Sequence, residues 1–265
     1  MALFTSQKFS PRPALQQYVK CFWTIEAEAI LHNTTPVLPD TNIELIINCG
    51  APFVYAETDG TLTELPRVFL SRLHNRPQYP HVAGDLHFIA ARLYPWTVRS
   101  FIDLPPNVDE LAYIPLNHRW QDVAIAVESA FRQRGYQAAV DCLQDFVTDT
   151  RQPQPYADPI QSAGATLDDL GGQVDMPTLA ARSHLSLRQF ERQFKYWTGI
   201  LPKAYARLIR YETVRKAIQR DPSRNMVALA LDHGYTDQAH FIHEFKSFTG
   251  VTPNKFASYY RTITA

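Results

Sequence analysis

The chain has 265 residues, of which 45% are hydrophobic and 20% are charged. This composition excludes a disordered chain, and the length suffices for one or two domains, each with its own core. The net charge is zero, which excludes a chain that binds nucleic acid through overall basicity.

The charge is unevenly distributed along the chain. Residues 161–265 contain 14 Lys and Arg against 9 Asp and Glu, whereas residues 1–160 contain 12 against 17. The two regions therefore carry +5 and −5, which favours a basic binding domain joined to an acidic partner domain. The alternative is chance segregation, since +5 is modest for a region of this length.

The first 115 residues are predicted to be rich in strands, because short β-branched and aromatic runs alternate there with Pro, Asp and Gly. The candidate strands are Tyr18–Ala29, Asn42–Asn48, Phe53–Glu57, Arg67–Leu73 and His87–Tyr94. Short strands at this spacing favour a small sandwich or barrel. The predicted core consists of Phe22, Trp23, Ile25, Ile43, Leu45, Ile47, Phe88 and Ile89.

Helical spacing begins after these strands. A short helix is predicted at Pro95–Ile102, and two longer helices, Asp122–Arg134 and Ala138–Val147, are separated by Gly135 and should pack as a hairpin. The sequence that follows is rich in Pro and Gln. We therefore expect a β-rich domain at 1–150, a linker at 151–158 and a second domain at 159–262.

The whole second domain has helical spacing, and each helix has a recognisable start or stop signal. The predicted helices begin at Pro159, Pro177, Leu187, Lys203, Met226, Gln238 and Pro253. Asp158, Asp175, Ser186, Asn225 and Asp237 are the predicted N-caps. The predicted fold class is thus α+β, with an all-α domain of seven helices after the β-rich domain.

The same pattern occurs twice between residues 178 and 256. Phe190, Phe194, Lys195 and Gly199 line up with Phe241, Phe245, Lys246 and Gly250 at a constant offset of 51. Each copy is a short helix, a tight turn and a longer helix, at about 177–198 and 226–249. This arrangement predicts two helix-turn-helix units, in each of which the second helix can lie in a DNA major groove.

Polar side chains cover the outer faces of both second helices. Arg can bond guanine bidentately and Gln can bond adenine. The candidate DNA-binding residues from this pattern are Arg188, Gln189, Arg192 and Lys195 in the first copy and Gln238, His243 and Lys246 in the second. We assign DNA-backbone contacts to Ser186, Arg210 and Asp237. The alternative is a helical bundle whose charged residues are merely solvated.

The doubled region resembles the DNA-binding domain of the AraC/XylS family of bacterial transcriptional regulators. The matching residues include F..QFK at 190–195, G..P at 199–202, GYTDQAHF at 234–241 and G.TP..F at 250–256. The resemblance implies seven helices, with two helix-turn-helix units joined by a linker helix. It also implies DNA contacts from Arg188, Glu191 and Arg192 in the first unit and from Ala239, Ile242 and His243 in the second.

The sequence departs from the family pattern at His184 and at His243, and many members of the family have Arg at the second position. His184 stands at the first turn where the family usually has Gly, and a positive φ there would cost about 1 kcal/mol. Ala239 and Ile242 are apolar and can at most contact a thymine methyl group. We therefore expect the first unit to contribute most of the sequence specificity.

The first domain resembles an uncharacterised domain found in a subset of the family, through YVKCFWTI at 18–25, LPDTNIELIINCGAPF at 38–53 and LYPWTVRSFI at 93–102. This resemblance implies no known ligand. The many aromatic residues could enclose a small apolar ligand, or they could form an ordinary core.

Neither a metal site nor an enzyme is predicted. His74, His81 and His87 lie near Glu64 and Asp85, but the H-x-H pair of a cupin-like site is missing. Motifs for a nucleophile, a phosphate-binding loop or a dinucleotide site are also missing. We expect no cofactor and no catalytic residue.

These predictions combine into a sequence-specific transcriptional regulator that responds to a small molecule. The alternative is a protein-interaction or dimerisation protein that has lost DNA binding. The expected partners are double-stranded DNA and a small-molecule effector, with RNA polymerase and a second copy of the first domain as further candidates. Neither a signal peptide nor a membrane-spanning run is predicted, so we expect a cytoplasmic protein.

Overall fold

The structure is a computed structural model that describes residues 5–30, 36–56, 61–104, 112–152 and 158–264. Most of the predicted linker, residues 153–157, lies outside the described residues, as does Glu57 at the end of a predicted strand. The chain forms two compact units. Unit 1 comprises Met1–Pro36, Asn42–Arg72 and Tyr79–Pro155, and unit 2 comprises Val37–Thr41, Leu73–Gln78 and Tyr156–Ala265.

The described part of unit 1 contains nine strands in two antiparallel sheets. They are β1 (Thr5–Phe9), β2 (Val19–Ile30), β3 (Ile43–Asn48), β4 (Phe53–Ala56), β5 (Leu62–Glu64), β6 (Val68–Ser71), β7 (His81–Val82), β8 (Gly84–Leu93) and β9 (Tyr113–Pro115). One sheet has the order β1-β2-β8-β3-β6-β9 and the other has the order β5-β4-β7. The predicted β-rich region is confirmed, and its strands pair across long stretches of sequence.

Aromatic residues join the two sheets of unit 1. The ring of Phe53 on β4 lies 5.8 Å from that of Phe69 and 6.1 Å from that of Phe88. Six of the eight predicted core residues are buried, whereas Trp23 and Ile25 are only partly buried against this cluster. The Trp23 ring is covered by the guanidinium of Arg92, 4.9 Å from its centre. A cation–π contact therefore replaces apolar packing on that side.

A helical hairpin completes unit 1. The helical segment α1 (His118–Thr150) is interrupted at Gly135, whose φ of 78° and ψ of −173° are not helical. The rings of Trp120 and Phe146 lie 4.8 Å apart, which a straight helix would place far from each other. Gly135 therefore turns the chain back, and the predicted hairpin is confirmed. The short helix at Pro95–Ser100 is a 3-10 helix.

Residues 158–264 form seven helices, as predicted. They are α2 (Asp158–Asp169), α3 (Met176–Arg182), α4 (Leu187–Thr198), α5 (Pro202–Arg220), α6 (Met226–Asp232), α7 (Gln238–Thr249) and α8 (Pro253–Thr264). Gly172, in the turn after α2, has a φ of 73°, and a β-carbon there would lie 2.3 Å from the carbonyl oxygen of Ala206. Only glycine lets this turn approach α5 so closely.

A buried carboxylate anchors the short segment Val37–Thr41 to α5 within unit 2. Thr41 donates to Glu212 Oε2 from its backbone N at 3.2 Å and from Oγ1 at 2.7 Å, and Lys216 Nζ lies 2.6 Å from Oε1. Burial alone would raise the pKa of Glu212, but the hydrogen bonds from Lys216 and Thr41 outweigh burial, so the pKa is lowered. Glu212 is therefore ionised at neutral pH.

None of the helices in the described part of the chain combines the length and the apolar character that crossing a membrane requires.

Candidate nucleic-acid interface

The first helix-turn-helix unit consists of α3 and α4. Asp175 caps α3 by accepting a hydrogen bond from the backbone N of Thr178. Ser186 and Gln189 form a capping box at the start of α4, in which each side chain satisfies the backbone N–H of the other residue. Such caps satisfy N–H groups that the helix itself cannot pair. The turn and the start of the recognition helix are thus fixed by local hydrogen bonds.

One face of α4 forms the core of this unit. Phe190, Phe194 and Trp197 are buried, and the ring of Phe194 lies 5.8 Å from Phe190 and 5.9 Å from Tyr205 of α5. Because these aromatic residues occur three and four positions apart, they share one side of the helix.

The opposite face of α4 is exposed and basic. Arg188, Arg192 and Lys195 are exposed, and Glu191 is half-buried. Arg188 and Arg192 make no hydrogen bond or ion pair with any residue that the structure describes. Their guanidinium groups are available to an anionic partner. The side-chain oxygen of Gln189, in contrast, already accepts a hydrogen bond from Ser186 N at 3.0 Å.

The second unit, α6 and α7, repeats this construction. Asn225 caps α6, and Asp237 caps α7 by accepting from His240 N at 2.8 Å. The buried face carries Phe241, Phe245 and Phe248. The outer face contains four exposed residues and the half-buried Ile242. The four are Gln238, Ala239, His243 and Lys246.

Two residues assigned to the DNA backbone, Ser186 and Asp237, are thus helix caps in the structure. Arg210, the third, is mostly buried on α5 and contacts the second unit. Its guanidinium lies 5.3 Å from the centre of the Tyr235 ring and 3.8 Å from Glu244 Oε1. The contacts of Ser186, Arg210 and Asp237 with the DNA backbone remain predictions.

Glu244 is not among the site residues predicted from the sequence. It is 1% exposed and accepts a hydrogen bond from Arg207 Nε at 2.7 Å. Its position carried a signal. Glu244 lies three residues after Phe241 and four before Phe248, so helical spacing alone places it on the buried face of α7.

A cleft of about 440 Å³ lies between α3, α4 and α5. Leu187 and Glu191 of the first recognition helix line one side, and Lys203, Arg207 and Arg210 of α5 line the other. Acidic and basic side chains therefore face each other beside the recognition helix.

The turns of the two units differ in strain. Gly234 has a φ of 73°, and the equivalent His184 has a φ of 55°. His184 therefore adopts the positive φ whose cost was considered from the sequence. A residue with a β-carbon is destabilised by about 1–2 kcal/mol in this region.

Replacement of His184 by glycine is expected to stabilise the protein. The relief of strain exceeds the added chain entropy of glycine in the unfolded state, about 0.5–1 kcal/mol. The net gain in the free energy of unfolding should be about 0.5–1 kcal/mol. Gly234→Ala is the reciprocal control and should cause a loss at least as large, because its β-carbon would also meet Gln173 Oε1 at 2.9 Å. Urea unfolding measures both, and a loss of stability in His184→Gly would contradict the strain assigned to this turn.

Known families cover both regions of the chain. Residues 179–259 match the family described as a helix-turn-helix domain, and residues 7–111 match the domain of unknown function DUF6597. No curated protein sequence matches the chain.

Several solved structures are similar to this one. ToxT from Vibrio cholerae is 10% identical with a TM-score of 0.48, and the match covers 97% of this chain and 98% of ToxT. An AraC-type regulator from Chromobacterium violaceum is 22% identical with a TM-score of 0.36, over 39% of this chain and 92% of that protein. The C-terminal domain of AraT from Geobacillus stearothermophilus is 19% identical with a TM-score of 0.37, over 40% and 88%.

The family match, the doubled motif and the seven helices agree with one another. Residues 179–259 thus form a helix-turn-helix domain of the AraC type, and residues 7–111 match a family of domains of unknown function.

Proposed function

We propose that this protein is a sequence-specific transcriptional regulator that binds double-stranded DNA through α4 and α7. One observation carries the proposal. Two helix-turn-helix units occur in tandem, each with a capped recognition helix that buries its phenylalanines and exposes its polar face. Two recognition helices can occupy adjacent major-groove segments on one side of B-DNA when they lie about 34 Å apart.

We assign most of the base recognition to the first unit. Arg188 and Arg192 are exposed on α4, and arginine makes the commonest specific contact with guanine. Glu191 beside them can accept a hydrogen bond from cytosine. In the second unit Ala239 and Ile242 offer only apolar contacts, and His243 is the remaining candidate for a hydrogen bond to a base. The second unit then contributes mainly through positioning, together with Gln238 and Lys246.

For unit 1 we propose a role in sensing a small molecule or in dimerisation. Its aromatic residues pack edge to face, with Tyr55 and Phe69 lying 5.3 Å and 5.7 Å from Tyr113. This packing is that of an ordinary core and leaves the two roles to be separated by experiment. A compound that raises the melting temperature in a metabolite screen would support sensing, because a ligand of the native state stabilises it by mass action.

The DNA-binding proposal is tested by gel shifts with the DNA upstream of the protein's own gene at several salt concentrations. We expect the logarithm of the affinity to fall linearly with the logarithm of the salt concentration, with a slope of about −0.9 for each phosphate contacted. The double variant Arg188→Ala/Arg192→Ala is the matched control and should lose the preference for this DNA over random DNA. A protein that shifts neither DNA at low salt would instead support the alternative of a non-catalytic interaction protein.

A further inference from the structure

Ion pairs join the second recognition helix, α7, to α5, the helix that connects the two helix-turn-helix units. Glu244 lies on the buried side of α7, and its Oε2 accepts from Arg207 Nε at 2.7 Å. Arg210 Nη2 lies 3.8 Å from the other carboxylate oxygen. A buried carboxylate is strongly destabilising when it lacks a cationic partner, so these two arginines of α5 are tied to α7.

The same two arginines contact the second unit at three further points. Arg207 lies 5.9 Å from the centre of the Phe248 ring, near the end of α7. Arg210 covers the Tyr235 ring and places Nη1 3.5 Å from the carbonyl oxygen of Gly234, in the turn. The turn, the middle and the end of the second unit are therefore all held by one pair of side chains.

These arginines also face the first recognition helix. Both line the cleft whose other side is formed by Leu187 and Glu191 of α4. A charged network of Glu244, Arg207 and Arg210 thus lies between the two recognition helices, and His240 Nε2 of α7 lies 3.7 Å from Glu244 Oε2. The network therefore joins α7 to α5 on the side of α5 that faces α4.

The first helix-turn-helix unit, α3 and α4, contains no equivalent of this carboxylate. At the offset of 51, Glu244 corresponds to Gln193, which is neutral and half-buried. The first unit is joined to α5 mainly by aromatic packing, with the rings of Phe194 and Tyr205 5.9 Å apart.

The attachment of Glu244 depends chiefly on Arg207. Glu244 Oε1 and the hydroxyl of Tyr235 have no hydrogen-bond partner among the residues that the structure describes. We therefore attribute the raised pKa of Tyr235 to its burial and to the nearby charge of Glu244, and Tyr235 remains protonated. The bond from Arg207 Nε is the one close, charge-assisted hydrogen bond that the described residues give to this carboxylate.

We propose that Glu244 is a positioning residue for DNA recognition, which fixes the orientation of α7 through Arg207 and Arg210 and thereby determines whether the second groove segment is recognised. This inference rests on the proposed function. It adds that specificity in the second segment depends on a buried residue that does not contact DNA.

The test begins with DNA that the wild-type protein selects from a random-sequence library. Footprinting then divides the selected site into two groove segments, and affinities are measured for the intact site and for sites with either segment scrambled. The variant Glu244→Gln keeps the shape of the side chain and removes its charge. We expect its affinity for the intact site to fall at least tenfold. In the wild type, scrambling the segment protected by α7 should weaken binding, although less than scrambling the other segment does. In Glu244→Gln, scrambling the α7 segment should have almost no further effect, whereas scrambling the other segment should still weaken binding.

Glu212→Gln is the matched control. It neutralises another buried carboxylate of unit 2, and this carboxylate does not contact α7. It should leave the relative contributions of the two segments unchanged even if it lowers the melting temperature. Arg207→Gln removes the cationic partner of Glu244. Because the Arg207 side chain is 43% exposed, this variant should stay folded and should reproduce the selective loss if Glu244→Gln does not fold.

Two results would overturn the positioning role. In the first, Glu244→Gln, or Arg207→Gln in its place, recognises both segments with the wild-type ratio of affinities. In the second, Glu212→Gln causes the same selective loss. A wild-type protein that selects no DNA sequence would instead overturn the proposed function itself, so the two failures are distinguishable.

Discussion

Replacement of Arg192 by alanine is expected to weaken specific DNA binding by roughly 5- to 150-fold. A bidentate contact between arginine and guanine contributes about 1–3 kcal/mol of discrimination, and each 1.4 kcal/mol corresponds to about a tenfold change in affinity. Arg192 is exposed on α4, one turn after Arg188, so both side chains project from the same face. The loss should be concentrated at one base pair, where the variant accepts all four bases nearly equally.

Two matched variants make this expectation specific to Arg192. Lys195→Ala removes a cation from the same helix, and it should weaken binding to all sequences about equally and lower the salt slope by about 1. His243→Ala should cost less than Arg192→Ala, because the second unit has the weaker recognition face. If His243→Ala abolishes specific binding while Arg192→Ala leaves it intact, the assigned order of the two units is wrong. Binding titrations against single-base variants of the selected site measure all three effects.

The helices of unit 2 could be predicted closely because their signals are local. The side chains of Ser186, Asn225 and Asp237 each cap a helix by accepting a hydrogen bond from a backbone N–H two or three residues later. Gly199 and Gly250 end helices with a positive φ. Capping and left-handed turns depend on side chains and backbone within one helical turn. The repeat then indicated that both units share one architecture.

The order of strands in unit 1 could not be predicted because its pairings are distant in sequence. β8 lies between β2 and β3, so that Phe22 and Leu45 both pair with Ala91. Alternating hydrophobicity identifies a strand and its buried face but carries no information about its neighbours. The contact between Trp23 and Arg92 could not be predicted for the same reason, since Arg92 lies on a strand nearly seventy positions later.

The charged network at Glu244 shows the same limit in the candidate site. The spacing of Glu244 on α7 indicated that it is buried, but its partners lie on α5, 34 and 37 residues earlier. A charged residue on a buried face is a signal that a partner must exist, because an unpaired buried carboxylate is not tolerated. The arginines of α5 were visible in the sequence as a group, and only the packing of α5 against α7 distinguishes Arg207 and Arg210 from the others.

Replacement of Phe194 by alanine is expected to lower the free energy of unfolding by about 3–5 kcal/mol. The side chain is fully buried on α4, and its ring lies within 6 Å of the rings of Phe190 and Tyr205. Its removal forfeits the burial of the ring and leaves a cavity that the surrounding aromatic residues cannot fill without leaving their rotamers. Because a domain is stable by only about 5–15 kcal/mol, unit 2 should unfold at much lower urea concentration, and DNA binding should be lost at temperatures where the wild type binds.

Tyr196→Ala is the control on the same helix, since that side chain is 58% exposed and its loss should change the free energy of unfolding by less than about 1 kcal/mol. Urea unfolding followed by circular dichroism gives both values, and addition of the selected DNA distinguishes the causes of lost binding. If Phe194 acts only through the fold, a high concentration of DNA restores both structure and binding by mass action. A folded Phe194→Ala protein that still fails to bind would show that the packing of α4 against α5 sets the geometry of the recognition helix as well as its stability.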